Sequence, residues 1–516
     1  MPSSPYLAKL GTNYVPKDDE LEHLAVVISK LGSDLQSLAV DGGDLDTQES
    51  YQQQFEANRA LMSPLRRMPL DIIQEIFAWC LPMDENYRMN VDAAPLLLGR
   101  ICSSWREIAY STPLLWSKLH VEEPETYSYG GRKIQPTKPL LAKLRGRREA
   151  TTEWLMRSGS CPLSISFACR EQFADFERSI LPALVPFTSR WEHISITATT
   201  EILPHIAHIT AEEVPLLKSL HLVEIFANNR LGLVERPWEL LAAPNLTTLR
   251  MLMHFFDESL FTVQWANLVN LEISLVPTSQ FDTPSSQRAF DVAARCPNLR
   301  VYTITLQNFD DFTPPDSVLE LAYLHTFHVL SVGGLHSCVK DLLAGRLLLP
   351  KLRDLRWHGK APWQMPLDLS YKPFCSAARY IEVIDISFDL FTKDTLAEFF
   401  GLISRTLRKV KMWPAHNMGP EGSEVVFDDD ILHMLSSVVD YPSLEDLDIS
   451  FGAFSEQALL DFVAVRMKAQ KLKHVAVTFR DPKTLDVYPM LRPFLDVGLH
   501  ATVGYRPADD DDDDDL

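Results

Sequence analysis

The chain has 516 residues, 46% of them hydrophobic and 10% aromatic, and a formal net charge of −20 to which the closing run Asp509 to Asp515 contributes seven. That much apolar material is ample for folded cores, while an acidic body argues against nonspecific nucleic-acid binding, which needs a basic surface. The seven cysteines (Cys80, Cys102, Cys161, Cys169, Cys296, Cys338 and Cys375) are scattered without a CxxC pair, which speaks for reduced thiols and against a disulfide framework or a zinc site.

The opening MPSSPYLAKLGTNYVPKDDE has no charged-then-apolar leader, and residues 1–18 read as disordered. No apolar run in the chain approaches the roughly 20 residues that cross a bilayer. A soluble protein of the cytoplasm and/or nucleus, with no membrane partner, is the expectation. From Leu21 the apolar positions Leu21, Leu24, Ile28, Leu31, Leu35 and Leu38 alternate in steps of three and four until Gly42 and Gly43 break the pattern. Such a seam dimerises, or folds back on its own protein. A weaker helical stripe follows at Tyr51, Phe55 and Met62, interrupted by Asn58. Residues 1–62 are therefore set apart as a leader.

Between Leu65 and Val121 stands LRRMPLDIIQEIFAWCLP, a polar insert, then APLLLGRICSSWREIAYSTPLLWSKLHV. Pro69 suits a first helical turn, and Asp71 and Glu75 suit the positive end of a helix dipole. Ile73, Ile76, Phe77 and Cys80 compose one apolar face. Pro95 opens a second predicted helix with the stripe Leu98, Ile101, Trp105, Ile108, and Ser111 with Pro113 starts a third that ends near Trp116. Three helices this short cannot hide all their apolar faces against one another, so a partner or a following domain must cover some of that surface.

The remainder carries a repeat. Apolar residues at positions 0, +3 and +5 recur at Trp116/Leu119/Val121, Trp191/Ile194/Ile196, Leu217/Leu220/Leu222, Leu246/Leu249/Met251, Leu268/Leu271/Ile273 and Leu299/Tyr302/Ile304. They continue at Leu324/Phe327/Val329, Leu352/Leu355/Trp357, Ile381/Ile384/Ile386, Leu407/Val410/Met412, Leu444/Leu447/Ile449 and Leu472/Val475/Val477, with a weaker unit at Cys161–Phe167. From Trp191 on, successive units start 22 to 37 residues apart. A short strand at near-regular spacing, with amphipathic helices such as TKDTLAEFFGLISRTL and DDILHMLSSVVDYPSL between strands, predicts a stacked solenoid. Pro215, Pro244, Pro297, Pro350 and Pro442 sit two residues before a strand signature, where they end the preceding element. Alternation then sends +3 and +5 into the core and the intervening positions to the open face of the sheet.

Together the two patterns resemble F-box proteins with degenerate leucine-rich repeats, abundant in mushroom-forming fungi. Met68-Pro69 stands at the family's Leu-Pro step, Asp71-Ile72-Ile73 at its acidic-plus-aliphatic start and Ile76-Phe77 at its Ile-Phe pair. Ile101-Cys102-x-x-Trp105 matches Val-Cys-x-x-Trp, Ile108-Ala109 the Leu-Ala step, and Leu115-Trp116 the closing Leu-Trp. The loop 83–94 is longer than in the compact pattern. The repeats also lack the asparagine eight residues after the first Leu, with Ile225, His254, Val276, Gln307 and Val332 in its place, so an irregular solenoid is expected. The resemblance implies an α/β fold: a helical F-box (63–121), then a leucine-rich-repeat solenoid (122–505) with a parallel sheet on one face and helices on the other, then an acidic tail (506–516). It implies a non-enzymatic substrate-recognition subunit of a cullin–RING (SCF-type) ubiquitin ligase. Its partners would be a Skp-type adaptor, through it a cullin, and an unknown protein substrate. The alternative is a repeat-based interaction or scaffold protein outside any active ligase. The adaptor-binding residues implied are Pro69, Ile73, Ile76, Phe77, Leu98, Ile101, Cys102, Trp105 and Trp116.

Enzyme signatures are missing: GxxxxGK[ST], GxSxG, HExxH and GxGxxG after a strand are all absent, and the histidines form no ligand-spaced cluster, so no cofactor, metal or catalytic residue is expected. The candidate substrate-binding residues are the outward positions His221, Arg250, Glu272, His328, Arg356, Asp385, Lys411 and Asp448, with Trp413 and His358 one alternation further. They read as a recognition surface or as the solvated face that any solenoid has. The basic stretch Gly131 to Glu149 could steer an acidic partner or be a solvated linker and helix, and the poly-Asp run could contact basic proteins or aid solubility.

Overall fold

The computed structural model describes residues 5–40, 45–124, 137–169, 179–199, 202–225, 237–253, 261–275, 291–307, 318–332, 347–359, 371–414 and 426–505. They fall into two compact units. One holds the described residues up to Ala168 and 179–191, and the other Cys169 and the residues from Glu192 on. His254, Val276, Cys338, residues 131–136 and the acidic tail lie outside the described residues.

The first unit opens with α1 (Asp18–Val40) and α2 (Leu45–Leu61). The heptad-spaced seam is spent inside the chain: Leu24 and Leu31 are buried, Leu21, Ile28, Leu35 and Leu38 half-buried, and α1 packs on α2. At Gly32 the helices approach closely enough that a Cβ would just touch the Phe55 ring, at 3.4 Å. Residues 5–17, expected to be disordered, are instead placed. Tyr6 is buried against Leu24 and Leu61, Tyr14 donates to Glu20 Oε2 (2.5 Å), and Arg66 donates to the carbonyls of Thr12 (2.7 Å) and Tyr14 (3.0 Å). Composition missed this because one buried tyrosine and a few side-chain bonds are enough to pin a short segment.

Next come α3 (Leu70–Trp79), α4 (Leu98–Ile101), α5 (Ser103–Tyr110), strand β1 (Lys118–Glu122), α6 (Lys138–Arg157) and β2 (Leu163–Ala168), which pairs parallel with β1. The single second helix predicted from Pro95 is in fact two. Cys102 is extended (φ −156°, ψ 170°) and its Sγ accepts from Trp105 N–H (3.4 Å), so it caps a new helix instead of continuing the old one. The weak unit at Cys161–Phe167 is the strand β2.

The second unit is an α/β repeat solenoid. Its strands are β3 (Trp191–Thr199), β4 (Ser219–Ile225), β5 (Thr248–Met253), β6 (Asn270–Leu275), β7 (Val301–Gln307), β8 (Leu319–Glu320), β9 (Thr326–Val332), β10 (Leu347–Leu348), β11 (Asp354–Gly359), β12 (Val383–Ser387), β13 (Lys409–Trp413), β14 (Asp446–Gly452), β15 (His474–Phe479) and β16 (His500–Tyr505). The ladder runs β3-β4-β5-β6-β7-β9-β11-β12-β13-β14-β15-β16, parallel throughout, and β8 pairs with β10 apart from it. Among the described residues, the early connections include the short helix α7 (Leu203–Ala207), between β3 and β4, and short 3₁₀ turns. From β11 on they include the helices α8 (Lys372–Ala377), α9 (Lys393–Ile403), α10 (Asp429–Ser436), α11 (Glu456–Lys468) and α12 (Tyr488–Leu495). Side chains of Thr392, Asp428 and Ser455 cap α9, α10 and α11 by accepting first-turn N–H groups.

Every residue of the twelve predicted triplets is buried. The reason is register: each ladder pairs equivalent positions, so +3 residues form one continuous row (Leu220, Leu249, Leu271, Tyr302, Phe327, Leu355, Ile384, Val410, Leu447, Val475) and +5 residues a second. At roughly 1.5–3 kcal/mol per buried large apolar side chain, these rows dominate the stability of the solenoid. The missing +8 asparagine is offset in part elsewhere. Asn245, Asn267 and Asn298, each just before a unit's first Leu, donate to the carbonyls of Pro215 (2.7 Å), Pro244 (3.2 Å) and Ala266 (2.8 Å) in the unit before. Just after the first apolar position, alternating charges step across the later units: Arg353 pairs with Glu382 (2.5 Å), Arg408 with Glu445 (3.2 Å) and Lys473 with Glu445 (2.8 Å). On β16, the N–H of Val503 donates to the Tyr488 hydroxyl of α12 (3.2 Å).

Candidate functional site

In the first unit, α3 is apolar on two sides. Ile73 and Phe77 point inward, and the Phe77 ring lies 4.8 Å from that of Trp105. Trp116 is fully buried, donates from Nε1 to Ala109 O (2.8 Å) and packs edge-on against Trp154 (4.8 Å). Gln74 donates to Thr112 Oγ1 (3.1 Å), which in turn donates to Ile108 O (2.6 Å), tying α3 to the end of α5. The other side carries Ile72, Ile76 and Trp79, spaced four and three and all exposed. The face predicted as Ile73, Ile76, Phe77 and Cys80 thus splits: Ile73 and Phe77 are core, Ile76 and Cys80 are surface.

Of the nine docking residues named from sequence, Pro69, Ile76, Ile101 and Cys102 are exposed and Trp105 is half-buried. Ile73, Phe77, Leu98 and Trp116 are buried inside the unit and hold its helices in place. A side chain without exposed area offers nothing for a partner to touch. Ile72 and Trp79, exposed beside Ile76, were not among the nine, although their spacing from Ile76 was legible.

In the second unit, the eight outward residues His221, Arg250, Glu272, His328, Arg356, Asp385, Lys411 and Asp448 fall in one lateral row, with Thr303 between Glu272 and His328. Sequence offsets alone put them there. His221 Nδ1 lies 3.2 Å from Ser195 Oγ, and burial, with the Arg250 charge assisting, pushes its pKa down. Arg250 pairs with Glu272 at 3.7 Å. Arg356 turns to Asp354 on its own strand (2.8 and 3.1 Å).

Three strands, β11, β12 and β13, then meet at Asp385. Trp413 Nε1 donates to its Oδ1 (2.9 Å), Lys411 Nζ lies 3.3 Å from Oδ2, and His358 Nε2 lies 3.1 Å from Oδ1, off the N–H axis, so that contact is electrostatic more than directed. His358 Nδ1 is 3.2 Å from His328 Nε2, and the rings of His328, His358 and Trp413 step edge-to-face at 4.7 and 4.9 Å. Burial alone would raise the Asp385 carboxyl, but the His358 and Trp413 contacts and the Lys411 charge outweigh it and hold the group far below the usual carboxylate range. Burial, then His358 and Arg356, push His328 down to about 4. Burial raises the Asp448 carboxyl. This knot joins residues predicted only as separate outward positions, because diagonal neighbours across strands are not legible from offsets along one strand.

Among the described residues no group of His, Cys, Asp and Glu could hold a metal ion, and no helix is long and apolar enough to cross a membrane. A small void under β11 and β12 is lined by Leu355, Trp357, Phe374, Phe391 and Phe399, and the Tyr371 hydroxyl beside it donates to Leu390 O (2.7 Å). Burial pushes the Cys296 and Cys375 thiols up to about 12, which makes them inert. In the basic stretch, the start of α6 is exposed, while Thr151, Trp154 and Leu155 anchor its far end.

No protein-family model matches the chain, and no curated protein matches it. It is similar to a solved structure, the crystal structure of the Rad7 and Elc1 complex in yeast, at 15% identity and a TM-score of 0.35, over 69% of this chain and 92% of that one. So low a score leaves the functional reading to the residues themselves.

Proposed function

We propose that this protein is a substrate-recognition subunit of an SCF-type ubiquitin ligase in the cytoplasm or nucleus, its helical segment 63–121 taking a Skp-type adaptor and its repeats holding a target protein. One observation carries the reading: α3 is packed through Ile73 and Phe77 while Ile72, Ile76 and Trp79 stand bare on its other side. α3 is apolar on two sides, and the described residues cover only one of them. Pro69, Ile101 and Cys102 join the stripe as adaptor contacts. Target binding is assigned to the row from His221 to Asp448 with Trp413 and His358 beside it; the arginines and that tryptophan are residue types that anchor protein interfaces.

The test is co-expression with a Skp-type adaptor, followed by size-exclusion chromatography of the purified mixture. A stoichiometric complex lost on changing Ile72, Ile76 and Trp79 together to Gln is the expected result. A full-length chain that stays folded and never captures an adaptor would leave the scaffold role in its place.

A further inference from the structure

We propose that the sheet face at β9–β12 is a proton-switched recognition site, in which proton uptake by His358 inverts His328 Nδ1 from a hydrogen-bond acceptor to a donor. It deepens the assignment of target binding to this face and rests on that assignment for its biological role, though not for its chemistry.

The geometry is a relay of three groups. Asp385 Oδ1 stands 3.1 Å from His358 Nε2, and His358 Nδ1 stands 3.2 Å from His328 Nε2. Beside a carboxylate, neutral His358 carries its proton on Nε2, leaving Nδ1 as a lone pair. His328 must then present Nε2–H to that lone pair, and its own Nδ1 is an acceptor. When His358 takes up a proton, Nδ1 becomes a donor, so His328 Nε2 must accept. A neutral His328 can do so only by moving its proton to Nδ1. One proton is taken from solvent and bound at His358, a second shifts within His328, and no bond between heavy atoms changes.

Two further observations support the relay. Among the described residues nothing hydrogen-bonds His328 Nδ1, and this nitrogen is not one of the fully buried unpaired atoms, so the nitrogen that inverts is the one open to a ligand. The groups around the pair also favour a single proton on it. Thr303 on β7 is uncharged, Arg356 on β11 repels a charge on His328, and Asp354 on that strand is engaged by Arg356. Asp385 on β12 is engaged by Trp413 and Lys411 of β13, and Asp448 on β14 lies beyond them in the row. His358 is the member next to the carboxylate, and burial with its neighbours' charges keeps His328 neutral. The site therefore fits a target group that donates a hydrogen bond, such as an amide N–H or a hydroxyl, while His358 is neutral, and a carbonyl or carboxylate once it is charged. The flanking Trp413 ring supplies the apolar contact.

The test needs no ligand. Ring nitrogens of histidine-labelled full-length protein report tautomer and charge directly by NMR, with His328 assigned by the signals lost in His328→Gln. As pH falls, His328 should pass from the Nε2–H to the Nδ1–H tautomer in the same step in which His358 becomes charged, remaining neutral itself. In His358→Phe, checked for an unchanged melt, that coupled step should vanish. A His328 that keeps one tautomer throughout, or that becomes imidazolium in the same step as His358, overturns the proposal. If His358→Phe does not fold, the wild-type titration alone still decides. Adaptor capture is measured separately, so failure of the ligase reading and failure of the relay are told apart.

Discussion

The two sides of α3 should respond to mutation in opposite ways, and the sizes follow from exposure. Ile72, Ile76 and Trp79 are 46%, 36% and 69% exposed, whereas Phe77 has no exposed area. Covering a half-exposed isoleucine recovers about 1 kcal/mol and covering most of a tryptophan about 3 kcal/mol, at roughly 25 cal/mol per Å². The stripe then contributes about 5 kcal/mol to docking, so replacing all three with Gln should weaken adaptor binding by about a thousandfold or more. Gln favours helix slightly more than Ile does, so folding should change by less than about 0.5 kcal/mol. Phe77→Ala, in contrast, should cost about 3–5 kcal/mol of stability through the cavity it opens beside Trp105. Titration calorimetry with purified adaptor and a denaturant melt of each variant give both numbers. A triple variant that binds within tenfold of wild type, or that unfolds as readily as Phe77→Ala, would refute the division into packed and offered sides.

Three further outcomes can be checked in the solenoid. Gln470 ends α11 in the left-handed region (φ 55°) while its N–H reaches Met467 O (2.9 Å), so Gln470→Gly should raise stability by about 1 kcal/mol in a urea melt. A Cβ on Gly452 would stand 2.2 Å from Cε1 of the buried Phe454 ring, so Gly452→Ala should cost about 1–3 kcal/mol and broaden the methyl signals around Phe454. Glu456 accepts from Thr484 N–H (2.7 Å), Leu485 N–H (3.2 Å) and the Thr484 hydroxyl (2.8 Å). Burial pushes its carboxyl up, but those bonds prevail and hold it below the ordinary 4.5. Its contribution is therefore full above the unfolded value and lost as pH falls through the folded one, and Glu456→Gln should flatten the acid limb of a stability-against-pH curve.

The solenoid was legible because one template, read at a constant offset, describes both strand alternation and the register between strands. The same offset brought His221 through Asp448 into a single row. The template failed at β16, where Gly498 stands at the first position and small Ala501 at the second, although Val503 keeps the pattern. The knot around Asp385 was not legible because its bonds run diagonally: Trp413 and His358 sit two residues beyond Lys411 and Arg356 in their strands, and which carboxylate they reach depends on neighbouring rotamers. In the helical segment, the apolar positions of α3 were readable but not which of them face inward. With residues on nearly every side, periodicity gives a helix without giving its rotation, and the packing of Phe77 on Trp105 sets that. Cys102 was read as a motif position inside one continuous helix, whereas its sulfur caps the start of a second.

A ladder that gains one strand per unit contains no internal instruction to stop, since each new strand leaves the same row of amide and carbonyl groups that recruited it. At Val503 the outermost described strand meets a phenol from its own preceding helix, which occupies the amide that another strand would need. Tyr488 thus acts as a plug against growth: it makes accretion of a foreign strand, or of a sister molecule end to end, compete with a bond the protein already owns.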